Sequence, residues 1–153
     1  MSAMELVAGL VAAYNEHDAE RQASWYAHDA TVHPSGWPHA VDVPTWISAF
    51  NMVLESFPDL TVRPGLVASG SGVVIMEARL TGTNTGPLYL NDTDRLVLQT
   101  DADRLPPKGR TMDITGTVVL EIVDQRVTAE RHYWPFVDTL VQFGLVEDRS
   151  HQV

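Results

Sequence analysis

The spacing of apolar residues changes near residue 60, and this change constrains the fold more than any other feature of the sequence. Before it, apolar residues recur at steps of three and four, as they do on one face of a helix. Beyond it, apolar and polar residues alternate, as they do in half-buried strands. The alternating segments are LTVRPGLVASG, GVVIMEARLTGTN, RTMDITGTVVLEIVD and RVTAERHYWP. Helices followed by four antiparallel strands predict an α+β domain with its helices on one face of the sheet.

Two helices are predicted in the N-terminal part of the sequence. The first runs from about residue 2 to 16, and its apolar stripe consists of Met4, Val7, Val11 and Tyr14. Asp18 can cap a second, shorter helix that continues to Tyr26. A short strand is expected at 31–33. The first segment lacks the basic start and long apolar run of a signal peptide, so we predict that it is a folded helix.

Two further helices are predicted around the strands. The third helix is strongly amphipathic, begins near Asp42 and is closed by Pro58. Its apolar residues are Trp46, Ile47, Phe50, Val53, Leu54 and Phe57. A last helix is expected over 136–145, ended by Gly144 or soon after. Residues 124–125 form a compact turn, so the last two strands should pair as a hairpin.

The segment 87–109 separates two strands by far more than the two to five residues of a usual hairpin loop. We call it the insertion. Its apolar residues are Leu96, Val97, Leu98 and Leu105. They predict a partly ordered element that closes over a cavity mouth or over a neighbouring subunit. The alternative is a mobile loop.

Composition limits the partners of the protein. Twenty acidic residues against ten basic ones give a net charge of −10, which repels phosphate backbones and anionic lipid headgroups. The sequence has no cysteine, which excludes disulfides, thiolate nucleophiles and Cys-ligated metals. No apolar stretch approaches the roughly 18 residues of a membrane span. We expect one soluble, cytoplasmic domain over residues 1–153 that binds neither nucleic acid nor membrane.

Sequence motifs for cofactors and metals are missing. The sequence contains no GxGxxG, GxxxxGK[ST] or GxSxG motif, so nothing indicates a nucleotide cofactor or a hydrolase nucleophile. His28, His33 and His39 lie close together, but they do not match a metal-ligand motif such as HExxH. Gly36 and two prolines between them also argue against a common face. We expect neither a cofactor nor a metal.

The alternation along the strands predicts two different sheet faces. Met76, Ala78 and Leu80 share one face with the apolar row from Met112 to Ile122, and this face must meet the helices. If the sheet curves, a cavity for a small hydrophobic molecule opens between its concave face and the helices. The outer face carries Glu77, Arg79, Val119 and Glu121. Glu77 and Arg79 are interpreted as a charge pair, and the face as the contact of a homodimer.

The last strand does not divide into an apolar and a polar row. Glu130, His132 and Trp134 form one row, and Arg131 and Tyr133 form the other. A titratable row belongs either to solvent or to the cavity, and periodicity does not decide between them. His132 is therefore either a catalytic group or a solvent-facing or structurally hydrogen-bonded histidine, and Glu130 is either its partner or a carboxylate at the rim.

Other candidates for the cavity are aromatic or titratable. Tyr14 could donate a hydrogen bond to an enolate oxygen, or could be a core tyrosine whose hydroxyl reaches solvent. His33 could be a pocket residue or a histidine at a strand end. The aromatic residues that could form a pocket wall, or simply the core, are Trp25, Trp37, Trp46, Phe50 and Trp134.

The segments YNEHDAERQASWYAHDATVHP, FPDLTVRPGLVASGSGVVIMEARLTGTNTGPL, PPKGR, VVLEIVDQRV and WPFVDTLVQFGL resemble the SnoaL-like polyketide ester cyclases. The resemblance covers about residues 4–146 apart from the insertion. It implies the nuclear transport factor 2-like (cystatin-like) fold, a cone in which N-terminal helices pack on the concave face of a curved antiparallel sheet. These cyclases close a ring by an aldol reaction without a cofactor, using a carboxylate base and a histidine.

The resemblance also implies positions for the chemistry. The family's aspartate base falls on His132, a nearby histidine falls on Glu130, and a second pocket histidine falls on Val118. The residue types therefore differ from the cyclase pattern, but a proton-transferring group is kept on the last strand. Because imidazole titrates near pH 6.5, it can exchange protons at neutral pH.

The function that we expect is cofactor-independent acid/base chemistry on a small hydrophobic carbonyl compound, as in a polyketide cyclase of the lyase or isomerase type. His132 and Glu130 would be catalytic. The residues expected to bind substrate are Tyr14, His33, Trp37, Phe50 and Trp134. Two alternatives remain open at this point. One is epoxide hydrolase or dehydratase-type water chemistry in the same pocket, and the other is a non-catalytic, dimeric ligand-binding module.

Overall fold

The computed structural model describes residues 1–147 and contains the predicted helices and strands in the predicted order. In chain order the elements are α1 (Ala3–Asn15), α2 (Ala19–Ala23), β1 (Tyr26–His33), β2 (Val41–Asp42), α3 (Val43–Ser56), β3 (Thr61–Gly70), β4 (Val73–Thr83), β5 (Leu88–Tyr89), α4 (Asp92–Leu98), β6 (Arg104–Leu105), β7 (Thr111–Val123), β8 (Arg126–Tyr133) and α5 (Phe136–Gln142). The main sheet has six strands in the order β2-β1-β8-β7-β4-β3, and β5 pairs with β6 separately. The α+β class is confirmed.

Side-chain caps fix where the three N-terminal helices begin. Ser2 and Glu5 form a capping box at the start of α1. The side chain of Asp18 accepts from the amide of Arg21 at the start of α2, and Asp42 caps α3 in the same way. The predicted cap at Asp18 and the predicted start of the third helix near Asp42 are confirmed.

The first strand is longer than the sequence indicates. Helix α2 ends at Ala23, and β1 already begins at Tyr26, so the expectation of a helix to Tyr26 and a strand only at 31–33 is wrong. The reason is tertiary: β1 pairs in parallel with β8, about a hundred residues away, and the remaining strand pairs of the sheet are antiparallel. Nothing in the local sequence reports such a pairing.

The hairpin between β7 and β8 has the predicted turn and an unpredicted bulge. Asp124 and Gln125 both have positive φ, 48° and 60°, as in the turns whose twist matches a hairpin. Further along, Ile122 pairs with Val127 but Glu121 pairs with Ala129, so Thr128 is an extra residue in β8. The Thr128 hydroxyl donates to the carbonyl oxygen of Glu121 at 3.2 Å. The bulge makes Val127 and Glu130, three residues apart, both face inward, and both are buried.

The inner face of the sheet is apolar, as predicted. Met76 lies opposite Val118, and Ala78 opposite Gly116, on adjacent strands β4 and β7. A Cβ at Gly116 would lie 2.3 Å from the ring of Trp134, so the missing side chain lets that ring pack on β7. Helix α5 ends at Gln142, and Gly144 follows with a φ of 70°. The predicted helix over 136–145 is therefore slightly too long.

The outer face of the sheet carries exposed ion pairs. The guanidinium of Arg79 binds both carboxylate oxygens of Asp113, at 2.7 and 2.6 Å, and Arg131 pairs with Glu121. The interpretation of Glu77 and Arg79 as a charge pair is wrong, because the partner of Arg79 lies on the neighbouring strand β7. No helix within residues 1–147 is long and apolar enough to cross a membrane.

Candidate functional site

A cavity of about 290 Å³ lies between the inner face of the sheet and the helices. Residues of α1 and α3 line one side, and residues of β4, β7 and β8 line the other. Helix α5, the 34–37 loop and the insertion complete the wall. The lining is mostly apolar, which is usual for a small-molecule pocket with a few placed polar groups.

The row of Glu130, His132 and Trp134 on the last strand faces this cavity. Glu130 lies opposite Leu120, and His132 opposite Val118, both on the inner face of β7. The two titratable residues are only 4% and 8% exposed. The interpretations of Glu130 as a rim carboxylate and of His132 as a solvent-facing histidine are therefore wrong, whereas the alternative of a structurally hydrogen-bonded His132 stays a prediction.

A chain of hydrogen bonds connects this row to the helices. The indole nitrogen of Trp46 donates to the hydroxyl of Tyr14 at 2.7 Å, and the hydroxyls of Tyr14 and Tyr26 lie 2.6 Å apart. The Tyr26 hydroxyl donates to Oε2 of Glu130 at 2.5 Å. Oε1 of Glu130 lies 2.5 Å from Nε2 of His132. We call these five residues the inner network.

The donors and acceptors of the inner network can be assigned in one direction. Indole can only donate, and Tyr26 gives its single proton to Glu130, so Tyr14 must donate to Tyr26. A carboxylate accepts at both oxygens, so Nε2 of His132 carries the proton that it shares with Glu130. In the neutral imidazole the other nitrogen, Nδ1, is then an acceptor.

The acceptor nitrogen of His132 is open to the cavity. Within residues 1–147, Nδ1 has no hydrogen-bond partner. It is also not fully buried, because the fully buried side-chain atoms without a partner in this part of the chain are Gln22 Oε1 and Trp25 Nε1. Nδ1 is therefore reachable by a molecule in the cavity. The ring is held from two sides, with the ring centroids of Trp46 and Trp134 at 4.8 and 6.2 Å in edge-on geometry. This arrangement fixes the orientation of the imidazole at the cavity wall.

Burial keeps the two tyrosines of the inner network protonated. The pKa of Tyr14 and that of Tyr26 are raised well above the usual value, first by burial and second by the negative charge of Glu130. Both hydroxyls therefore remain donors at neutral pH. The Tyr14 hydroxyl is buried rather than open to solvent, and its proton is engaged with Tyr26, so it is not free to bind an enolate oxygen directly.

The structure places the remaining candidates differently. Trp37, Phe50 and Trp134 line the cavity. His33 does not: it lies beside Arg131 on the opposite face of the sheet, and its Nε2 contacts the carbonyl oxygen of Trp37 at 2.9 Å. The expected pocket role of His33 is therefore not supported. Trp25 is also outside the lining and packs against Gly9 instead.

The insertion contributes to the cavity, but through other residues than expected. Leu88, Tyr89, Leu90, Asn91 and Asp94 line the cavity. Leu96 and Val97 are 78% and 44% exposed, so these two side chains do not close the cavity mouth. Leu98 and Leu105 of the same segment are partly buried against the core. That Leu96 and Val97 meet a neighbouring subunit stays a prediction.

The charged residues of the lining are few. Within residues 1–147 it contains the carboxylates of Glu130 and Asp94 and the imidazole of His132, but no lysine or arginine. In the same part of the chain, no three His, Asp or Glu side chains are arranged to hold a metal ion. Sequence reasoning missed Tyr26 and Asp94. For Tyr26 the available signal was an aromatic residue close to a predicted strand, and for Asp94 no signal set it apart from the other aspartates of the insertion.

Solved structures with the same fold come from several bacteria. AclR of Streptomyces galilaeus, a proposed hydroxylase, is 18% identical over 97% of this chain and 85% of that chain, with a TM-score of 0.77. IdmH of Streptomyces antibioticus, a proposed polyketide cyclase, is 22% identical over 94% and 99%, with a TM-score of 0.74. A protein of Catenulispora acidiphila with a ketosteroid isomerase-like fold, in complex with trimethylamine, is 15% identical over 95% and 96%, with a TM-score of 0.69. These likenesses confirm the predicted fold.

Sequence comparison identifies the family. No curated protein matches the chain in sequence. The family model described as the SnoaL-like domain matches residues 7–130, which spans α1 to the middle of β8. The match ends at Glu130 and thus includes the hairpin turn and the bulge that orient the last strand. The chain belongs to the SnoaL-like domain family, within the nuclear transport factor 2-like fold.

Proposed function

We propose that the protein is a cofactor-independent enzyme that removes a proton next to a carbonyl group of a small apolar molecule, in the manner of a polyketide cyclase. The observation that carries the proposal is the open Nδ1 of His132, with Nε2 of the same ring bound to the buried carboxylate of Glu130. A base oriented by a carboxylate is the arrangement that histidine-dependent enzymes use for proton transfer.

The proposed reaction proceeds in two balanced steps. Nδ1 of His132 accepts a proton from the carbon next to the carbonyl, and the electron pair of that C–H bond forms an enolate. Glu130 stabilises the imidazolium. The enolate carbon then attacks a second carbonyl of the same molecule, which forms the ring bond, and the imidazolium returns its proton to the resulting alkoxide.

Trp134 is the donor that we propose for the enolate oxygen. Its ring lines the cavity beside His132, and within residues 1–147 its Nε1 has no hydrogen-bond partner and is not fully buried. A donor aimed at developing negative charge contributes strongly to catalysis in a site that excludes water. This role replaces the one expected for Tyr14 and His33.

The contents of the cavity favour this function over its two alternatives. Water chemistry of the epoxide hydrolase type would be favoured by a carboxylate pair around an arginine, and the described lining holds no arginine. A non-catalytic module would be favoured by a solvent-facing His132 and a cavity filled with side chains. His132 is instead buried, and about 290 Å³ remains free.

The test is hydrogen exchange at the acidic carbon of a simple ketone. We expect the protein to accelerate deuterium uptake by the methyl group of 2-acetylnaphthalene in D₂O, followed by proton NMR. His132→Gln keeps the shape of the ring but cannot transfer a proton, so the rate should fall by about 100 to 10,000-fold. His33→Gln, on the other face of the sheet, is the matched control and should keep the wild-type rate. If His132→Gln also kept it, the base would be another residue, and Glu130 would be the next candidate.

We further propose that the protein forms a homodimer through the outer face of the sheet. Ile75 and Tyr133 on this face are 49% and 57% exposed, beside the ion pairs of Arg79 and Arg131. Mixed apolar and charged surfaces of this kind are common in dimer contacts. Light scattering should report about twice the 16.9 kDa of the chain. A single-chain mass at micromolar concentration would contradict the proposal.

A further inference from the structure

The cavity has a second polar group, far from the inner network in the sequence. Asn91 and Asp94 of the insertion both line the cavity and bind each other's backbone. The side-chain oxygen of Asn91 accepts from the amide of Asp94, and Oδ2 of Asp94 accepts from the amide of Asn91, both at 2.8 Å. Their other polar atoms, Nδ2 of Asn91 and Oδ1 of Asp94, have no hydrogen-bond partner within residues 1–147 and are not fully buried. One free donor and one free acceptor therefore remain at this wall.

The position of this pair follows from two contacts. The hydroxyl of Thr93 donates to the carbonyl oxygen of Gly36 at 2.7 Å and fixes the insertion on the 34–37 loop. The same loop meets the end of β8, where the amide of Trp134 donates to the hydroxyl of Ser35 at 3.2 Å. Asn91 and Asp94 thus lie near Trp134, at one end of the row of Glu130, His132 and Trp134. Glu130 is at the other end of this row, beyond His132.

The charges around the pair restrict what it can bind. Arg95 is the nearest cation in sequence, but its guanidinium is engaged with Asp92, Asp103 and the carbonyl oxygen of Leu90. Burial raises the pKa of Asp94, as expected for a carboxyl partly withdrawn from water. An anionic ligand would meet two carboxylates and no cation in the described lining. A hydroxyl group fits, because it can donate to Asp94 and accept from Asn91.

We propose that Asp94 and Asn91 are specificity-determining residues that select carbonyl compounds with a hydroxyl at the end remote from the reacting carbonyl. The orientation of the ligand rests on the proposed function, since it requires the carbonyl end to lie at His132. The expected ligand is an apolar carbonyl compound that carries a hydroxyl group and no carboxylate.

The test compares three probes that share one carbonyl group. They are 2-acetylnaphthalene, its 6-hydroxy derivative and its 6-carboxy derivative, with affinities measured by isothermal titration calorimetry. The wild type should bind the hydroxy probe about tenfold more tightly than the parent, as expected for one hydrogen bond to a charged group. The carboxy probe should bind most weakly. Equal affinity for the hydroxy probe and the parent, or tight binding of the carboxy probe, would overturn the proposal without any variant.

Variants then assign the preference to Asp94. Asp94→Asn should abolish the preference for the hydroxy probe, whereas Asp101→Asn, an exposed residue of the same insertion, should keep it. A preference that survived in a folded Asp94→Asn variant would remove Asp94 from the site. Deuterium uptake at the acetyl group is measured on the same probes with the wild type and with Asp101→Asn, which should keep the wild-type rate. A preference for the hydroxy probe without deuterium uptake would contradict the proposed function alone. Deuterium uptake without a preference for the hydroxy probe would contradict this inference alone.

Discussion

The two polar regions of the cavity differ in how completely their hydrogen bonds are used. In the inner network each tyrosine hydroxyl both donates and accepts, and both oxygens of Glu130 are occupied. At the insertion, Asn91 and Asp94 each use one polar side-chain atom and leave another without a hydrogen-bond partner among the described residues. The difference separates two tasks. Fully paired groups hold one base in one orientation, and open groups remain free to bind a ligand.

Removing the carboxylate of the inner network should have the largest effect. In Glu130→Gln, Tyr26 still donates to the side-chain oxygen, so the amide nitrogen would face His132. That amide donates, which forces the proton of the imidazole onto Nδ1 and abolishes the open acceptor. The exchange rate should fall by on the order of 1,000 to 10,000-fold, as when a histidine base is held in the wrong tautomer.

Nitrogen-15 NMR of the His132 ring would report the tautomer directly. Glu121→Gln, which alters an exposed carboxylate on the outer face, is the control and should leave the exchange rate unchanged. A Glu130→Gln variant with the wild-type rate would show that full pairing in the inner network serves stability alone.

The next prediction concerns the stability of the inner network. Tyr26→Phe removes the donor to Glu130 and the acceptor for Tyr14 at once, and leaves Oε2 of Glu130 and the hydroxyl proton of Tyr14 without partners in the interior. The free energy of unfolding should fall by about 1 to 3 kcal/mol in urea titrations. Tyr133→Phe on the outer face, where the side chain is 57% exposed, should change it far less. Equal effects of the two substitutions would contradict the contrast between the paired hydroxyl of Tyr26 and the exposed hydroxyl of Tyr133.

The smallest effect is expected at the insertion. Replacing residues 90–104 by a short Gly-Ser linker removes Leu90, Asn91 and Asp94 from the lining but leaves the six-stranded sheet intact. The protein should remain folded, and its affinity for the hydroxy probe should weaken by about tenfold, or about 1.4 kcal/mol. Calorimetric titration measures the affinity, and circular dichroism checks the fold. Unchanged affinity would mean that Leu90, Asn91 and Asp94 do not contribute to binding of the hydroxy probe.

Local signals in the sequence were sufficient for much of the fold. Asp18 and Asp42 start helices because their side chains cap free amides, and Asp124 and Gln125 turn the chain because both adopt positive φ. Strand β1 was placed too late because its partner β8 is remote and parallel. Pairing energy between distant segments leaves no trace in the residues of one of them.

The candidate site was predictable only in part, for a related reason. The resemblance to the cyclases indicated His132 as a cavity residue, but alternation counted from the hairpin turn could not, because Thr128 shifts the strand by one position. Tyr26 was assigned to a helix end, so its hydroxyl was not considered as a partner of Glu130. The position of Asp94 in the cavity lining depends on where the insertion packs, and this is set by contacts such as the hydrogen bond from Thr93 to Gly36.

The bulge at Thr128 makes the site sensitive to length rather than to composition. If β8 paired with β7 without the bulge, Arg131 would lie opposite Val118. His132 would then lie on the outer face with Thr117 and Val119. Insertion of one residue next to Thr128, with the bulge still taking up a single residue, would therefore place a guanidinium where the imidazole now lies, while leaving the amino acids of the site unchanged. A single-residue change in strand length would thus change the group presented to the cavity without any substitution in its lining.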